Sequence, residues 1–552
     1  MAPLPLEQRQ ARRQLAAMAV LMLLYMLVLA LIPALRAVAG LERGSTIDLH
    51  RDEAFVRALL EGHYGEDPAY LGGGMWYTPL ITWLEAAVAW LTGLPASQMI
   101  VQLGPFANLL APISFFTMCW YFVGPVRAVA CTAIFLFFSI GQEPGWVVAT
   151  YSHRLIPVSF SQSFFYLDLI LIDHAFRRRR PAPALLAGFL MGITFLAHAG
   201  PAIIAVLLVA VLTMWEVSSA LLRQDRKAAW SNARTALLAA AAFIVASLPL
   251  TWHLLTGNLH VANRAGFLFT YYALSLHGIN VFLYHNLALV NLLAAAGIMA
   301  VWHNRAWAGG SPYTRKLLFA WAALAMLLFA YSYLASLLQT HYGISLPLLL
   351  PSFHFYFYTS AVLSVFAGLA VVEILKWTWT RRGSPGANGY RSEQPGLVFV
   401  FFLLVAAACT ARYPSYATRR DIAIVRNRDL AFKSDTAGSQ AEQAIHRLVP
   451  WNGVVLCEPE FSAWPMLATA RHVVATESTM GNPYLDHAQR ERDNAELLQG
   501  MARSLPGTAG LMGKYGVTHL LVSPQELARM PKAVHWFPVR LFQNQQYVLL
   551  AR

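Results

Sequence analysis

The chain has 552 residues, of which 57% are hydrophobic and only 12% charged, with a mean hydropathy of +0.47. Soluble domains carry about a quarter of charged residues, so this composition excludes an ordinary soluble protein and defines a polytopic membrane protein. The formal net charge of +13 does not point to nucleic acid either, because the basic residues stand in short runs between apolar spans, as orientation signals do. The positive charge is nearly all arginine, which fits a GC-rich bacterial genome. Cys119, Cys131, Cys409 and Cys457 lack metal-ligand spacing, and neither a disulfide nor zinc is expected.

Residues 1–14 place Arg9, Arg12 and Arg13 ahead of an apolar run from Leu15 to Leu35, long enough for the ~20 residues of a crossing helix. No small-residue cleavage site follows, so the helix is expected to be retained and the N-terminus to lie in the cytoplasm. Residues 37–102 then form a first outer loop. Its stretch from Gly44 to Trp83, GSTIDLHRDEAFVRALLEGHYGEDPAYLGGGMWYTPLITW, holds Asp48, Asp52, Glu53, Glu61, Glu66 and Asp67 in an otherwise carboxylate-poor protein. Such a cluster is a poor core. It suits a general base at the bilayer surface, where a lipid-borne and a water-borne substrate can meet. The segment Tyr77 to Leu94, apolar but carrying Glu85, is short for a span and reads as an amphipathic interfacial helix.

Further spans are expected near 103–123, 126–141, 157–175, 184–197, 201–215, 235–253, 281–301, 316–338, 353–375 and 396–411, which with the first makes about eleven. The arginine-rich loops, including Arg177 to Arg180 and Arg223 to Lys227, fall inside on this count, and the C-terminus falls outside. The pair at 184–215 is interrupted by His198-Ala199-Gly200-Pro201, which stops a helix, so two short helices are expected to meet there. Gly383–Gly396 reads as a flexible cytoplasmic loop. After residue 411 polar residues become common and β-like runs appear at Gly453–Leu456, His472–Thr476, Thr518–Val522 and Gln546–Ala551, with helical stretches at Glu442–Leu448 and Ala488–Met501. Residues 412–552 are thus expected to form a soluble α/β domain on the outer side of a 1–411 transmembrane domain.

Asp48 is the preferred base, with Asp52 as rival and Glu53 beside it. The plain alternative is that these acids cap or solvate a helix beginning near Asp52. His153, Arg154 and Arg264 lie at outer ends of spans, where they either anchor the protein by snorkelling or bind the phosphate of a lipid carrier. His354, in PSFHFYFY, needs a partner whether it is a ligand or a satisfied interfacial histidine. Asp168, inside the fourth span beside Ser161, Gln162 and Ser163, reads foremost as a helix-packing polar group.

Three local patterns, with a dipeptide beside the first, resemble the GT-C superfamily of integral membrane glycosyltransferases, which includes aminoarabinose transferases, protein O-mannosyltransferases and oligosaccharyltransferase catalytic subunits. Asp48, with Leu59, Leu60 and Gly62 after it, resembles the first-loop catalytic segment. Asp52-Glu53 resembles the Asp-Glu dipeptide of the aminoarabinose and O-mannosyl branches, so spacing favours Asp48 and dipeptide identity favours Asp52. Gly192–Pro201 is similar to a Gly-Leu-Ala-Phe-Leu-Thr-Lys-Gly-Pro pattern, with His198 where Lys is common. Pro351–Tyr358 resembles an Arg-Phe-x-x-Tyr segment whose Arg contacts lipid phosphate; His354 stands there instead.

The resemblance implies a GT-C-like helical membrane fold in an inner membrane. It implies transfer of a sugar from a polyprenyl-phosphate-linked donor to a hydroxyl of a lipid, glycan or protein acceptor, with inversion. Membrane lipids are the remaining partner. The donor phosphate would be held by His153, Arg154, Arg264 and His354, and further contacts would come from Glu53, Glu143 and His198. No cofactor is required by the pattern, although a divalent metal bridging Asp48 and Glu143 would parallel the oligosaccharyltransferases. A transporter or flippase of lipid-linked sugars is the rival reading, but it would place ionisable groups near the midplane. A membrane scaffold presenting the outer domain is the third.

Overall fold

The computed structural model describes all residues except 1–5, 140–150, 259–274, 304–311, 345, 347–349, 383–394, 478–480 and 504. The chain divides into two compact units. One comprises the described residues of Met1–Ala39, Gly104–Ser247 and Leu268–Val425; the other comprises Gly40–Leu103, a short piece starting at Leu248, and Arg426–Arg552.

The first unit is helical. Among the described residues, seven helices are long and apolar enough to cross a membrane: Arg9–Val38, Ala96–Val123, Ala199–Leu222, Arg226–Thr256, Tyr313–Tyr342, Ser352–Thr378 and Gly396–Ala423. The pair Leu276–Leu283 and Leu287–His303, bent by 78°, makes an eighth if taken as one span. The expected spans at 126–141, 157–175 and 184–197 fall on shorter helices, Pro125–Ala133, Gln162–Arg178 and Pro181–Ala197. Among the described residues, helices of crossing length therefore number seven or eight, against about eleven expected from hydropathy.

The first helix shows how the lipid-facing and packed faces separate: Leu21, Leu24 and Val28 are more than half exposed, while Met26, Ala30 and Ala34 are buried, the spacing of one helix face. The packed centre is aromatic. Phe115 stacks on Phe135 at 4.1 Å, and Tyr166, Phe165, Trp321 and Tyr358 continue the cluster edge to face. Small residues bring backbones together where Gly188 and Gly192 meet Ala239 and Ala246 of the next helix but one, a small-xxx-small contact.

The expected break between residues 184 and 215 is present. Pro181–Ala197 ends at His198, whose extended backbone starts Ala199–Leu222 and whose Nδ1 accepts from the Gly200 N–H at 3.0 Å. The second helix is not short, however: Pro201 sits in its first turn, where a missing N–H costs nothing, and the helix runs for 24 residues.

The second unit carries a five-stranded sheet in the order β2-β1-β3-β5-β4, with β1 Val454–Cys457, β2 His472–Val473, β3 Val517–Val522, β4 Val539–Gln543 and β5 Val548–Ala551. β1 pairs in parallel with β2 and β3, whereas β5 runs antiparallel to β3 and β4. Four of these strands match expected runs; β4 was not anticipated, because only Val539, Leu541 and Phe542 give it an apolar signal.

The same unit incorporates the acidic loop. Helix Ile47–Leu60 buries Ala54 and Ala58 in one cluster with Ile445, Val455 and Leu521, and its other face places Leu49 and Val56 against Ala86, Ala96 and Ile100. Burying each large side chain of this kind contributes about 1.5–3 kcal/mol. The helix is supported by Asp48–Arg51 and Glu53–Arg57 pairs at helical spacing. It stops at Glu61, followed by Gly62 with φ +90°, a conformation glycine takes without cost. Gly73 is required by close approach, since a Cβ there would stand 2.7 Å from the Asp67 Cβ. Helix Pro79–Thr92 then starts with Pro at its first position and ends at Gly93. It buries Ile81, Thr82, Glu85, Ala86 and Ala89 and leaves Trp90 and Leu91 exposed, as an interfacial helix would.

Candidate functional site: the Asp48–Arg51–Asp52 cluster

The helix carrying the candidate bases begins at Ile47, five residues ahead of the expected start, so Asp48 sits in its first turn and Asp52 one turn later. Arg51 ties them together. Its Nη1 lies 3.1 Å from Asp48 Oδ1, and its Nε and Nη2 donate to Asp52 Oδ1 at 2.9 and 2.8 Å. Nη2 also donates to the Tyr77 hydroxyl at 2.8 Å, and the guanidinium lies 4.0 Å from the Tyr77 ring centre. Phe55 stacks on Tyr77 from the same helix. The two acids differ in access: the Asp48 side chain is 49% exposed and that of Asp52 only 2%.

Burial sets the charges. Burial opposes the charge on Arg51, but Asp52, Tyr77 and Asp48 outweigh it and hold the guanidinium above its ordinary value. Burial pushes the Asp52 carboxyl up to about 6 against the pull of Arg51, and the Asp48 charge adds to the rise. Asp52 Oδ2 has no hydrogen-bond partner among the described residues.

The other acids of the loop are engaged elsewhere in the unit. Glu53 accepts from Arg57 Nε and Nη2 at 3.1 and 2.6 Å, Arg57 reaches on to Glu442, and Arg43 lies 3.3 Å from Glu442. Burial pushes Glu53 up to about 7, with Arg57 pulling it down and Glu442 adding to the rise. Glu61 pairs with Arg471 at 2.9 Å. Asp67 accepts from the Ala69 N–H and from Asn482, and Glu66 accepts from Trp451 Nε1 at 2.9 Å. Four of the six carboxylates that drew attention to this loop thus have structural partners. Asp48 and Asp52 share an arginine with each other.

In the helical unit, His153 and Arg154 lie in the segment after Ser152. Asn108 Nδ2 donates to the Ser152 and Arg154 carbonyls at 3.0 and 2.6 Å, Tyr151 donates to the Pro105 carbonyl, and Gly104 leaves room for the segment's backbone. His153 is buried 3.7 Å from Asp421, which also accepts from Arg419 Nε at 3.0 Å. His198 and His354 meet edge to face at 5.0 Å. Asp168 is fully buried and accepts from Thr194 at 2.6 Å, the helix-packing bond expected of it. Arg264 and Glu143 lie outside the described residues.

Arg51, Tyr77, Arg57 and Glu442 were not singled out from sequence. Arg51 carried a signal, since an arginine three residues after one acid and next to another can hold both. Tyr77 and Glu442 had none, being brought in by tertiary contacts. Among the described residues no group of three or more His, Cys, Asp or Glu is placed to hold a metal. Asp48 and Asp52 each face the Arg51 guanidinium, which repels a cation there, and Glu143, the other half of the bridge that the resemblance implies, lies outside the described residues.

No family model matches the sequence, and no curated protein does. Solved structures do match. The chain resembles the apo crystal structure of ArnT from Cupriavidus metallidurans, with a TM-score of 0.57 and 12% identity over 95% of this chain and 97% of that one. ArnT bound to undecaprenyl phosphate matches with 0.51 and 14% over the same shares. Archaeal oligosaccharyltransferase AglB from Archaeoglobus fulgidus, in complex with an inhibitory peptide and a dolichol-phosphate, matches with 0.54 and 12% over 95% of this chain and 72% of that one. Both are GT-C glycosyltransferases. The chain shares the fold of these structures.

Proposed function

We propose that the protein is a membrane glycosyltransferase that moves a sugar from a polyprenyl-phosphate carrier to an acceptor hydroxyl, with Asp48 as general base. The observation that carries this reading is the Arg51 cluster: Asp48 is the half-exposed carboxylate of a pair otherwise buried and held by one arginine. An acceptor can reach Asp48, whereas Asp52 lies behind it. Asp48 takes the proton of the acceptor hydroxyl, the oxygen attacks the anomeric carbon, and the carbon–oxygen bond to phosphate breaks with its electrons passing to the phosphate. The anomeric carbon inverts. Cations neutralise the departing phosphate; we assign Arg154 and His354 to this task, with His153, His198 and Arg264 as further candidates.

ArnT and AglB, whose solved structures include complexes with undecaprenyl phosphate and with a dolichol-phosphate, support a lipid-phosphate donor. The orientation that suits this chemistry puts the sheet-bearing unit outside the cytoplasmic membrane of a bacterium. A cysteine placed at Gln543 should then react with an impermeant reagent in intact cells, and one at Arg178 should not.

The deciding experiment follows consumption of polyprenyl-phosphate sugar by purified, lipid-reconstituted protein. Asp48→Asn should fold normally and lose a factor of ~10²–10⁴ in transfer. Full transfer by both Asp48→Asn and Asp52→Asn would overturn the assignment, and movement of intact donor between leaflets would favour a flippase.

A further inference from the structure

Glu85 is unexplained by the mechanism above. It lies on helix Pro79–Thr92 among apolar neighbours, is 0% exposed, and among the described residues neither of its carboxyl oxygens has a hydrogen-bond partner. An isolated carboxylate in such a site is expensive, and a buried acid of this kind holds a proton instead. Its surroundings are specific. Helix Pro79–Thr92 packs on Ile47–Leu60 through Ala86 against Leu49 and Val56, so Glu85, next to Ala86, is on the side facing Asp52, which lies between Leu49 and Val56. The charged and titratable groups acting on Glu85 are Asp52 and Arg51, with Tyr77 and Asp48 beyond them on the same guanidinium. Asp52, for its part, has one oxygen on Arg51 and the other, Oδ2, unpartnered among the described residues. The site thus contains an acid in need of an acceptor and a carboxylate oxygen in need of a donor.

We propose that Glu85 carries a proton in the resting protein and shares it with Asp52 Oδ2 across one water, as the positioning residue of the Arg51 cluster. The inference rests on the proposed transferase reading for its catalytic consequence, though not for the proton itself. The donor from Glu85 keeps Asp52 ionised, ionised Asp52 keeps Arg51 aligned, and Arg51 holds Asp48 toward the acceptor. Glu85 touches no substrate. Burial, followed by the charge of Asp52, raises its carboxyl well above the ordinary range, which is the direction a retained proton requires. Two carboxyls whose environments push their proton affinities apart in this way are the usual basis for dividing acid and base roles.

Infrared difference spectroscopy on full-length reconstituted protein tests the proton without any transfer assay. At pH 7 the wild-type minus Glu85→Gln difference should show the C=O stretch of a protonated carboxylic acid, and the same band should persist in Asp48→Asn. In Asp52→Asn it should titrate away at lower pH than in wild type, because a neighbouring negative charge has been removed. Absence of the band at pH 7 overturns the inference whatever the enzyme does. Where transfer is measurable, Glu85→Leu should lower it on the order of 10- to 100-fold, the loss of one hydrogen bond to a charged group. Its acid limb should move to higher pH, since Asp52 loses a donor that favours its ionised form. Glu85→Gln, which still donates, should rescue most of that loss and return the acid limb. Equal damage from Gln and Leu overturns the sharing, and so does an undamaged Leu variant. If Glu85→Leu fails to fold, the band and the pH profile of Glu85→Gln decide.

Discussion

Arg51 and Arg57 sit six residues apart on one helix, and each collects two carboxylates, yet the results differ. Arg57 faces Glu53 and Glu442, both almost fully buried, with Arg43 adding a second positive charge. That network joins the loop helix to the helix Thr436–Leu448 and has no half-exposed carboxylate. Arg51 holds Asp48 and Asp52 and borrows Tyr77, but Asp48 stays half exposed and one Asp52 oxygen has no direct partner among the described residues. Similar chemistry therefore serves as a staple at one position and as a site at the other. What separates them is how completely the surrounding elements satisfy the group.

Variants that unbalance the two clusters should behave oppositely. Asp48→Asn is expected to have the largest functional effect, ~10²–10⁴ in transfer, with thermal stability close to wild type; a melting temperature that falls as far as activity would place Asp48 with the staple. Arg57→Met leaves Glu53 buried without its paired cation and Glu442 with Arg43 alone, and should cost about 3–5 kcal/mol of stability, read by chemical denaturation. Any transfer lost by Arg57→Met should track the folded fraction. A folded but inactive Arg57→Met protein would erase the distinction between the clusters.

The staple should also respond to pH. Burial raises the Glu53 carboxyl to about 7 from an ordinary value of 4.5, so the folded state binds more protons than the unfolded state between these values. Its contribution is fully present below about pH 4.5 and is lost as pH rises through about 7, by at most ~1.4 kcal/mol per pH unit. Glu53→Gln should flatten the stability profile of the sheet-bearing unit in that window; an unchanged slope would mean Glu53 does not titrate there. The smallest effect is expected from Ser45→Ala, which removes the 2.6 Å bond from Ser45 Oγ to Asp429 but keeps the 2.8 Å bond from its N–H. About 0.5–1.5 kcal/mol should be lost, with transfer unchanged.

Much of the molecule was legible because its signals are local. Residue composition and apolar run length define the membrane helices, the His198–Pro201 break follows from backbone chemistry, and Thr78-Pro79 and Gly93 mark the ends of the interfacial helix. The runs that became β1 and β5 are continuous apolar segments, as strands buried on both faces are. The weight given to six clustered acids was less secure. A carboxylate count cannot distinguish an acid that closes on Arg471 or Asn482 from one that stays open, because those partners arrive from more than 400 positions away in the chain.

The sequence by itself determined that this is a polytopic membrane protein, where its apolar runs lie, and that acids gather in the segment after the first span, since hydropathy, backbone stereochemistry and charge are properties of neighbouring residues. Only the tertiary structure decided that this segment shares a core with the C-terminal sheet, that Glu53, Glu61 and Asp67 are consumed in holding it there, and that Arg51, Tyr77 and Glu85 converge on Asp52. The physical reason is that the state of a carboxylate depends on its desolvation and on the charges within a few ångströms of it, and both are set by residues distant in sequence that folding alone brings near.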